Sequence, residues 1–363
     1  MFGRICWFLL LVLYNNEHVH GLELSSGKRV LVAGASGKVG RMVVKELLER
    51  VNSTVTVRAL VRDVSKAKTI LSDVSSMSSR LEIVKCDLSQ ASDVESVCKD
   101  GDALIWCATG FSDSSSVINK ALAIFKLKFT PQQSIDIATL GQIGDIFAKK
   151  PKMSDGSPQV VICSSAGVTR VGWSDEKKMK YEGCADIPIV RLNPLDILNI
   201  KAKGEQRLRE TGCDYSIVRP TGLNDKSPPG ARPFFSQGDL AVGRITRQDV
   251  ASVLVGVLEE SQATGKTMEV LGLLGYPQPR SFTTQMSRLS NDPVVQGTKQ
   301  DVGQTIPDDV LFATYALLQQ LVPGETLAPN QLAMGQTYEQ LDKGQEGRLG
   351  TRGTEDAVNA IIR

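Results

Sequence analysis

The residues with the clearest chemical meaning form a glycine-rich stretch near the start of the chain. It reads Gly34-Ala35-Ser36-Gly37-Lys38-Val39-Gly40, between a β-rich run and a helical pattern. Glycines permit a tight turn and let backbone N–H groups approach a pyrophosphate, which the N-terminus of the next helix also attracts. The stretch therefore predicts a dinucleotide-binding loop, with a structural turn as the alternative. A nucleoside-triphosphate P-loop is excluded, because Val32 and Val39 replace its first glycine and its magnesium-binding serine or threonine.

The end of the second β-rich run indicates which nicotinamide cofactor binds. An acidic residue there would hold the ribose hydroxyls of NAD. The run ends instead in Arg62 and Asp63. The Arg62 guanidinium can make a bidentate contact with a 2′-phosphate, assisted by Lys38. We therefore expect NADP(H) rather than NAD(H), the alternative being a solvated Arg62 paired with Asp63.

Two further turns extend this predicted cofactor site. Asp87 and Leu88 follow the third β-rich run, where they are placed to contact adenine. Ala108, Thr109 and Gly110 follow the fourth run and should lie beside the cofactor.

Strands and helices alternate along the chain and must position these turns. The β-rich runs cover residues 29–33, 54–61, 81–84, 103–107, 160–163, 215–218 and 267–271. Asn193 is expected to cap a helix that ends before Gly212, and Thr246 to cap another with Asp249 three residues on. Such alternation predicts an α/β fold, a doubly wound parallel sheet with right-handed crossovers. The long loops at 167–192 and 222–243 leave the carboxyl edge of that sheet, where ligands bind, and are the expected substrate rim.

The chain divides into three predicted segments. Arg4 precedes ten apolar residues, which predicts a secretory signal peptide over 1–21; an uncleaved anchor or an uncertain gene start is the alternative. Such a signal implies the secretory route, or a plastid if the source has a secondary plastid. Residues 28–276 form the predicted NAD(P)-binding domain, and residues 277–363 a partly disordered extension. One helix is expected there at 308–322, with an apolar stripe that packs on the sheet domain or on a partner.

Composition excludes several classes of protein. The 363 residues are 41% hydrophobic and 23% charged, which argues against wholesale disorder and a multi-span membrane protein. A net charge of +2 gives no field for nucleic acid. His18 and His20 lie in the predicted signal, so the mature chain would lack histidine for catalytic triads or metal sites. We therefore expect neither a metal nor a nucleic-acid partner.

The chain resembles atypical short-chain dehydrogenase/reductase proteins of the NmrA-like branch. The resemblance spans about residues 28–273, and its motifs are GASGKVG (34–40), RALVRD (58–63), CDL (86–88), ATG (108–110), SSAGVTR (164–170), ILNIKAKGEQRLRETGCDYSIVRPTGL (197–223) and ITRQDVASV (245–253). The likeness is greatest to plastid members, the dehydrogenase-like component of the inner-envelope translocon and the high-chlorophyll-fluorescence assembly factors. It implies a Rossmann-like fold and NADP(H) binding, with a scaffold role in some members.

The resemblance also implies a catalytic set, which this chain holds only in part. Short-chain dehydrogenases use serine with Tyr-x-x-x-Lys; tyrosine donates the proton, and lysine lowers its pKa and holds the ribose. Lys201 matches the lysine, and Ser164 or Ser165 matches the serine. Ile197 stands at the tyrosine position and cannot donate a proton.

Two functions therefore remain open at this point. The first is an NADP-dependent reductase acting on a small molecule, in which Lys201 works directly or through water, or Tyr181 moves in from the rim loop. The second is an NADP(H)-binding scaffold or assembly factor with a protein partner. Cys107 and Cys163 lie at strand ends beside the expected cofactor, where either buried packing or a redox role fits.

Overall fold

The computed structural model describes residues 27–49, 54–75, 79–109, 134–274, 276–295 and 297–321. The predicted signal peptide, Gly110, most of the stretch after it and the tail beyond 321 lie outside the described residues.

One large sheet organises the described residues. Its strands run in the order β3-β2-β1-β4-β5-β6-β10-β8; neighbours pair in parallel, except that β8 is antiparallel to β10. The strands are β1 (Arg29–Ala33), β2 (Thr56–Val61), β3 (Leu81–Lys85), β4 (Ala103–Trp106), β5 (Val160–Cys163), β6 (Tyr215–Pro220), β8 (Arg232–Ser236) and β10 (Lys266–Leu273). Two short pairs lie outside it, β7 (Gly222–Leu223) with β9 (Arg244–Ile245) and β11 (Val294–Val295) with β12 (Thr298–Lys299). The predicted doubly wound, Rossmann-like sheet is confirmed.

Helices cover both faces of the sheet. They are α1 (Lys38–Glu49), α2 (Val64–Ile70), α3 (Ser72–Ser75), α4 (Ala91–Lys99), α5 (Leu140–Phe147), α6 (Asp175–Lys180), α7 (Pro188–Leu192), α8 (Ile197–Glu210), α9 (Arg247–Leu258), α10 (Thr283–Met286) and α11 (Asp308–Leu321). A π-helical turn, Ile135–Thr139, leads into α5. None of the helices in the described parts of the chain has the length and apolar composition that crossing a bilayer requires.

The inner strands of the sheet are buried on both faces, as parallel strands under two helical layers must be, whereas the edge strand β3 is only partly buried. In β1, Val30 and Val32 face the layer that α1 and α9 cover, whereas Leu31 and Ala33 face the layer of α4, α5 and α8. This alternation explains why β1 continues after the exposed Arg29 as an apolar run with no polar face.

The helix that carries Lys201 begins later than its capping pattern predicts. Asn193 adopts a left-handed conformation, as do Leu195 and Asp196, and α8 starts at Ile197. The Asn193 side-chain oxygen accepts a bond from the Leu198 N–H at 3.0 Å, so it still supports the helix start from outside. The prediction of Asn193 as N-cap was wrong because three residues separate it from the helix, and two of them, Leu195 and Asp196, are left-handed. By contrast, Thr246 caps α9 as predicted and accepts from the Asp249 N–H at 3.0 Å.

The described part of the tail packs on the sheet domain. Met286, Asp292, Asp301 and Val302 are all buried, although the boundary at 276 stays a prediction. α11 buries Leu311 and Leu318 beside the sheet domain, whereas Val310 and Leu317 remain 48% and 44% exposed. One half of the expected apolar stripe thus packs on the sheet domain, and the other half is not covered by described residues.

Candidate functional site

The glycine loop folds tightly against the end of β4. Gly34 has φ +75°, and a Cβ there would lie 2.8 Å from the Ala108 backbone nitrogen. The Gly37 N–H donates to the Gly34 carbonyl at 2.9 Å. A Cβ on Gly40 would lie only 2.2 Å from that same carbonyl oxygen. These glycines let the loop and the start of α1 approach closely, and the resulting cradle fits a dinucleotide pyrophosphate.

The remaining loop side chains differ in exposure. Ser36 and Lys38 are exposed beside the cradle, whereas Val39 is half-buried and packs against the apolar layer under α1.

Arg62 lies exposed at the end of β2 and forms no ion pair with any described residue. Asp63 is used otherwise: its carboxylate caps α2 and accepts from the Lys66 N–H at 3.0 Å. Of the expected alternative, a solvated Arg62 paired with Asp63, the exposure is observed and the pairing is not.

The turns after β3 and β4 reach the same edge of the sheet. The Asp87 carboxylate accepts from the Ser89 N–H and hydroxyl at 3.0 and 2.8 Å. The Leu88 carbonyl accepts from the Thr139 hydroxyl at 2.7 Å, which ties this turn to the π-helical turn. Ala108 is buried and Thr109 is exposed.

Lys201 has a partner that the motifs did not reveal. Its ammonium lies 3.6 Å from the carboxylate of Asp136, which is almost fully buried in the π-helical turn. A Cβ on Gly204 would lie 1.9 Å from the Asp136 carbonyl oxygen, so glycine in α8 allows this approach. The sequence gives no spacing signal that connects positions 136 and 201. A π-helical turn is itself a feature often found at functional sites.

Lys201 lies within electrostatic range of the strand ends that support the glycine loop. Its charge acts on the thiols of both Cys107 and Cys163. The backbone of Cys107 in turn lies against Gly34.

The two candidate serines differ in their surroundings. The Ser164 hydroxyl donates to the Glu205 carboxylate at 2.5 Å, and the Ser165 hydroxyl donates to the Ala166 carbonyl at 2.9 Å. A carboxylate is the stronger acceptor, so Ser164 is the more firmly held of the two.

Behind Ser164 lies a buried network of charges. Glu205 pairs with Arg219 at 2.5 Å and with Arg209 at 3.2 Å. Both arginines also contact carboxylates from the tail, Arg209 with Asp292 at 3.0 Å and Arg219 with Asp301. The tail thus neutralises two buried arginines under the candidate site, a role that the sequence did not predict.

The catalytic tyrosine that Ile197 replaces has no substitute in Tyr181, whose hydroxyl is engaged elsewhere. Ile197 is 5% exposed and packs with Val168 and Leu198. The Tyr181 hydroxyl contacts Asp308 at 3.2 Å, and its ring packs between Trp173 and Tyr315. The predicted movement of Tyr181 into the site would require breaking all of these contacts.

The loop at 167–192, which follows β5, is held at its start by a buried carboxylate and carries a cleft on its surface. Asp239, buried, accepts from the Gly167 and Thr169 N–H groups at 2.7 and 2.8 Å and pairs with Arg170. Burial alone would raise the pKa of Asp239, but Arg170 and Arg219 hold it below its usual value. A cleft of about 710 Å³ lies on this loop, with Val171, Met179, Val190 and Arg191 among its lining residues. Val171 and Val190 also pack against the start of α8.

No metal centre is apparent in the described ranges, where no three acidic, histidine or cysteine side chains come together as ligands.

Comparisons with known proteins agree with this geometry. A family model described as NAD(P)H-binding matches residues 34–261. An uncharacterized chloroplastic protein of Arabidopsis thaliana, At2g34460, is 31% identical over 258 residues, covering 70% of this chain and 80% of that protein. Protein TIC 62, chloroplastic, of the same plant is 26% identical over 262 residues, covering 67% of this chain but 35% of TIC 62. Sanguinarine reductase of Eschscholzia californica is 27% identical over 263 residues, covering 66% of this chain and 88% of that enzyme. The chain therefore belongs to the NAD(P)H-binding family, as an atypical short-chain dehydrogenase/reductase of the NmrA-like type near its plastid members.

Proposed function

We propose that the protein is an NADP(H)-dependent oxidoreductase whose site works without the usual tyrosine. The observation that carries this proposal is that the glycine loop packs on the backbone of Cys107, whose thiol lies within electrostatic range of Lys201. A cofactor-binding loop and a candidate proton donor thus share one edge of the sheet. The likeness to a named reductase over most of that enzyme's length also supports this function.

Each residue of the candidate site has its own role in the proposed reaction. When bound, the cofactor supplies or accepts a hydride at its nicotinamide ring. The glycine loop holds the pyrophosphate, and Arg62 contacts the 2′-phosphate that distinguishes NADP from NAD. Lys201, oriented by Asp136, holds the ribose and exchanges a proton with the substrate oxygen, directly or through water. Ser165 hydrogen-bonds that oxygen, while Ser164 supports the site through Glu205.

The substrate enters by the cleft on the rim loop. Its volume of about 710 Å³ lies in the range of small-molecule sites. We further propose a plastid as the location, because two of the relatives described above carry the word chloroplastic in their names.

A second function is favoured by the absence of a tyrosine at Ile197 and by the likeness to TIC 62. In this alternative the protein senses NADP(H) without rapid turnover and acts as a scaffold or assembly factor for a protein partner.

Cofactor affinity is the decisive first measurement. We expect the full chain to bind NADPH more tightly than NADH, and Arg62→Ala to weaken NADPH binding selectively. Arg288→Ala, which removes another exposed arginine away from the predicted site, serves as the control and should leave both affinities unchanged. Failure to bind either nucleotide would remove the oxidoreductase proposal.

Turnover then separates the two functions. We would screen wild type and Lys201→Ala with NADPH against a panel of aldehydes, ketones and quinones. Loss of turnover with retained NADPH binding supports proton transfer by Lys201. Turnover by neither protein, with normal NADPH binding in wild type, supports the scaffold.

A further inference from the structure

Two cysteines lie at neighbouring strand ends beside the candidate site and have no part in the proposed chemistry. Cys107 directly follows β4, and Cys163 is the last residue of β5. Both pack against the apolar layer that α1 and α9 cover, whereas their neighbours Trp106 and Ile162 face the opposite layer. The two thiols therefore point to the same side of the sheet.

The strand register brings these thiols together. β4 and β5 are parallel neighbours in which Trp106 lies opposite Ile162, so the next position pairs Cys107 with Cys163. Neighbouring strands lie about 4.8 Å apart, and disulfides join Cα atoms separated by about 4.4–6.8 Å. A disulfide can thus form here after a small adjustment of the strand ends.

The two are also less buried as whole residues than the other cysteines that the structure describes. Cys107 and Cys163 are half-buried, whereas the others are buried, namely Cys86, Cys98, Cys184 and Cys213. All six are free thiols in this structure.

Burial and charge act in opposite directions on the formation of a thiolate at the pair. Burial raises the pKa of the Cys163 thiol to about 11 and that of Cys107 well above its usual value, but Lys201 lowers both. The thiolate is the reactive form, so exchange should be slow at neutral pH and assisted by the nearby ammonium.

We propose that Cys107 and Cys163 form a reversible disulfide that weakens NADP(H) binding, a regulation that rests on the proposed function. The link between thiol state and cofactor site is Gly34, which packs so closely on Cys107 and Ala108 that not even a Cβ fits between them. Drawing Cys107 toward Cys163 displaces the surface on which the glycine loop rests.

The oxidant we assign is a low-molecular-weight disulfide. One cysteine thiolate attacks a sulfur of that disulfide and releases the first small thiol, which leaves a mixed disulfide on the protein. The second cysteine thiolate attacks the bound cysteine sulfur and releases the second small thiol. Two protein thiols and one small disulfide thus give one protein disulfide and two small thiols.

The experiment uses the full chain, reduced, desalted and then incubated with oxidised glutathione. Samples are quenched in acid, alkylated and digested, and mass spectrometry looks for a peptide pair joined through Cys107 and Cys163. NADPH affinity is measured before oxidation, after it and after re-reduction. We expect the joined peptides, an affinity loss of roughly tenfold or more, and recovery on reduction.

Variants separate this pair from the other cysteines. Cys107→Ser and Cys163→Ser should each abolish the change in affinity on oxidation, whatever their affinity when reduced. Cys213→Ser, at a buried position outside the site, should keep the response.

The possible outcomes test three points separately: the disulfide, its effect on NADPH affinity, and the proposed function. Absence of the Cys107–Cys163 link, or a response that survives in both serine variants, overturns the disulfide switch. A link with unchanged NADPH affinity overturns the regulation alone and leaves the proposed function intact. Failure of the reduced protein to bind either nucleotide removes the proposed function and the regulation, whereas the mass spectra still report whether the disulfide forms.

Discussion

Gly40 is the residue of the glycine loop at which a side chain is least acceptable. An alanine Cβ there would lie 2.2 Å from the Gly34 carbonyl oxygen, 2.8 Å from its carbonyl carbon and 3.0 Å from the Ala35 Cα. All three are backbone atoms, so no change of rotamer relieves the overlap. Ordinary contact begins at 3.4 Å, so the loop and α1 must separate by about 1 Å.

We therefore expect Gly40→Ala to reduce both stability and cofactor affinity. Overfilling a packed site typically costs about 1–3 kcal/mol of unfolding free energy. Displacing a binding group by about 1 Å can cost roughly a hundredfold in function, which sets the expected loss of NADPH affinity. Urea unfolding measures the first quantity, and fluorescence titration with NADPH measures the second.

Two further glycines provide a graded comparison. An alanine Cβ at Gly37 would lie 3.1 Å from the Gly34 oxygen, so Gly37→Ala should cause a smaller loss. Gly172 is exposed with no atom within 4 Å of a Cβ, so Gly172→Ala should change neither quantity. The reasoning is refuted if Gly40→Ala matches Gly172→Ala in affinity and stability. If Gly40→Ala does not fold, an NADPH affinity in Gly37→Ala equal to that of wild type refutes the role of the loop.

Three other substitutions test the surroundings of the site. Glu205→Gln should lower the free energy of unfolding by about 3–5 kcal/mol, because it leaves two buried guanidinium groups short of a counter-charge; the exposed Glu210→Gln is its control in urea. Ser164→Ala should mainly lower the melting temperature and Ser165→Ala mainly turnover, and the opposite pattern would exchange their assigned roles. Burial raises the pKa of Glu269 to about 8, so the folded chain keeps a proton that the unfolded chain loses above its usual pKa near 4.5. Stability should therefore fall as pH rises from about 4.5 to 8, and urea unfolding of Glu269→Gln should show a smaller fall. An equal fall in the variant and in wild type would show that Glu269 is already ionised in the folded protein.

Local signals were enough to predict seven of the eight strands of the large sheet and the turn that begins the cofactor site. The run at 29–33 became β1 with the same bounds, because a short apolar run before a glycine turn has few other structures available. Thr246 and Asp249 form hydrogen bonds with each other within one helical turn, so the start of α9 can also be predicted from the sequence. These features depend on residues that are close together in the chain.

Contacts between distant segments were not predictable in the same way. The proline-rich sequence at 222–243 predicts a loop, whereas Arg232–Ser236 form β8, because they pair with β10, which is distant in the chain. Asp136 meets Lys201 across 65 positions, and Asp301 meets Arg219 across 82, with no spacing rule for either pair. The start of α8 failed for a different reason: Asn-Pro has the residue types of a helix start, and the left-handed residues after it have no strong local signature.

The surroundings of Ile197 explain why this site cannot be read as a tyrosine-dependent site with one residue missing. Ile197 is packed among Val168 and Leu198, so a phenol built there would carry its hydroxyl into an apolar cluster. A buried hydroxyl without a partner costs about 1–3 kcal/mol, so restoring the tyrosine also requires a new polar environment. The charge in the site lies instead one helical turn further on, where Lys201 and Asp136 are held 3.6 Å apart. Proton transfer and ribose binding then fall on the same side chain, which is why Lys201→Ala has to be assayed for nucleotide affinity and turnover separately.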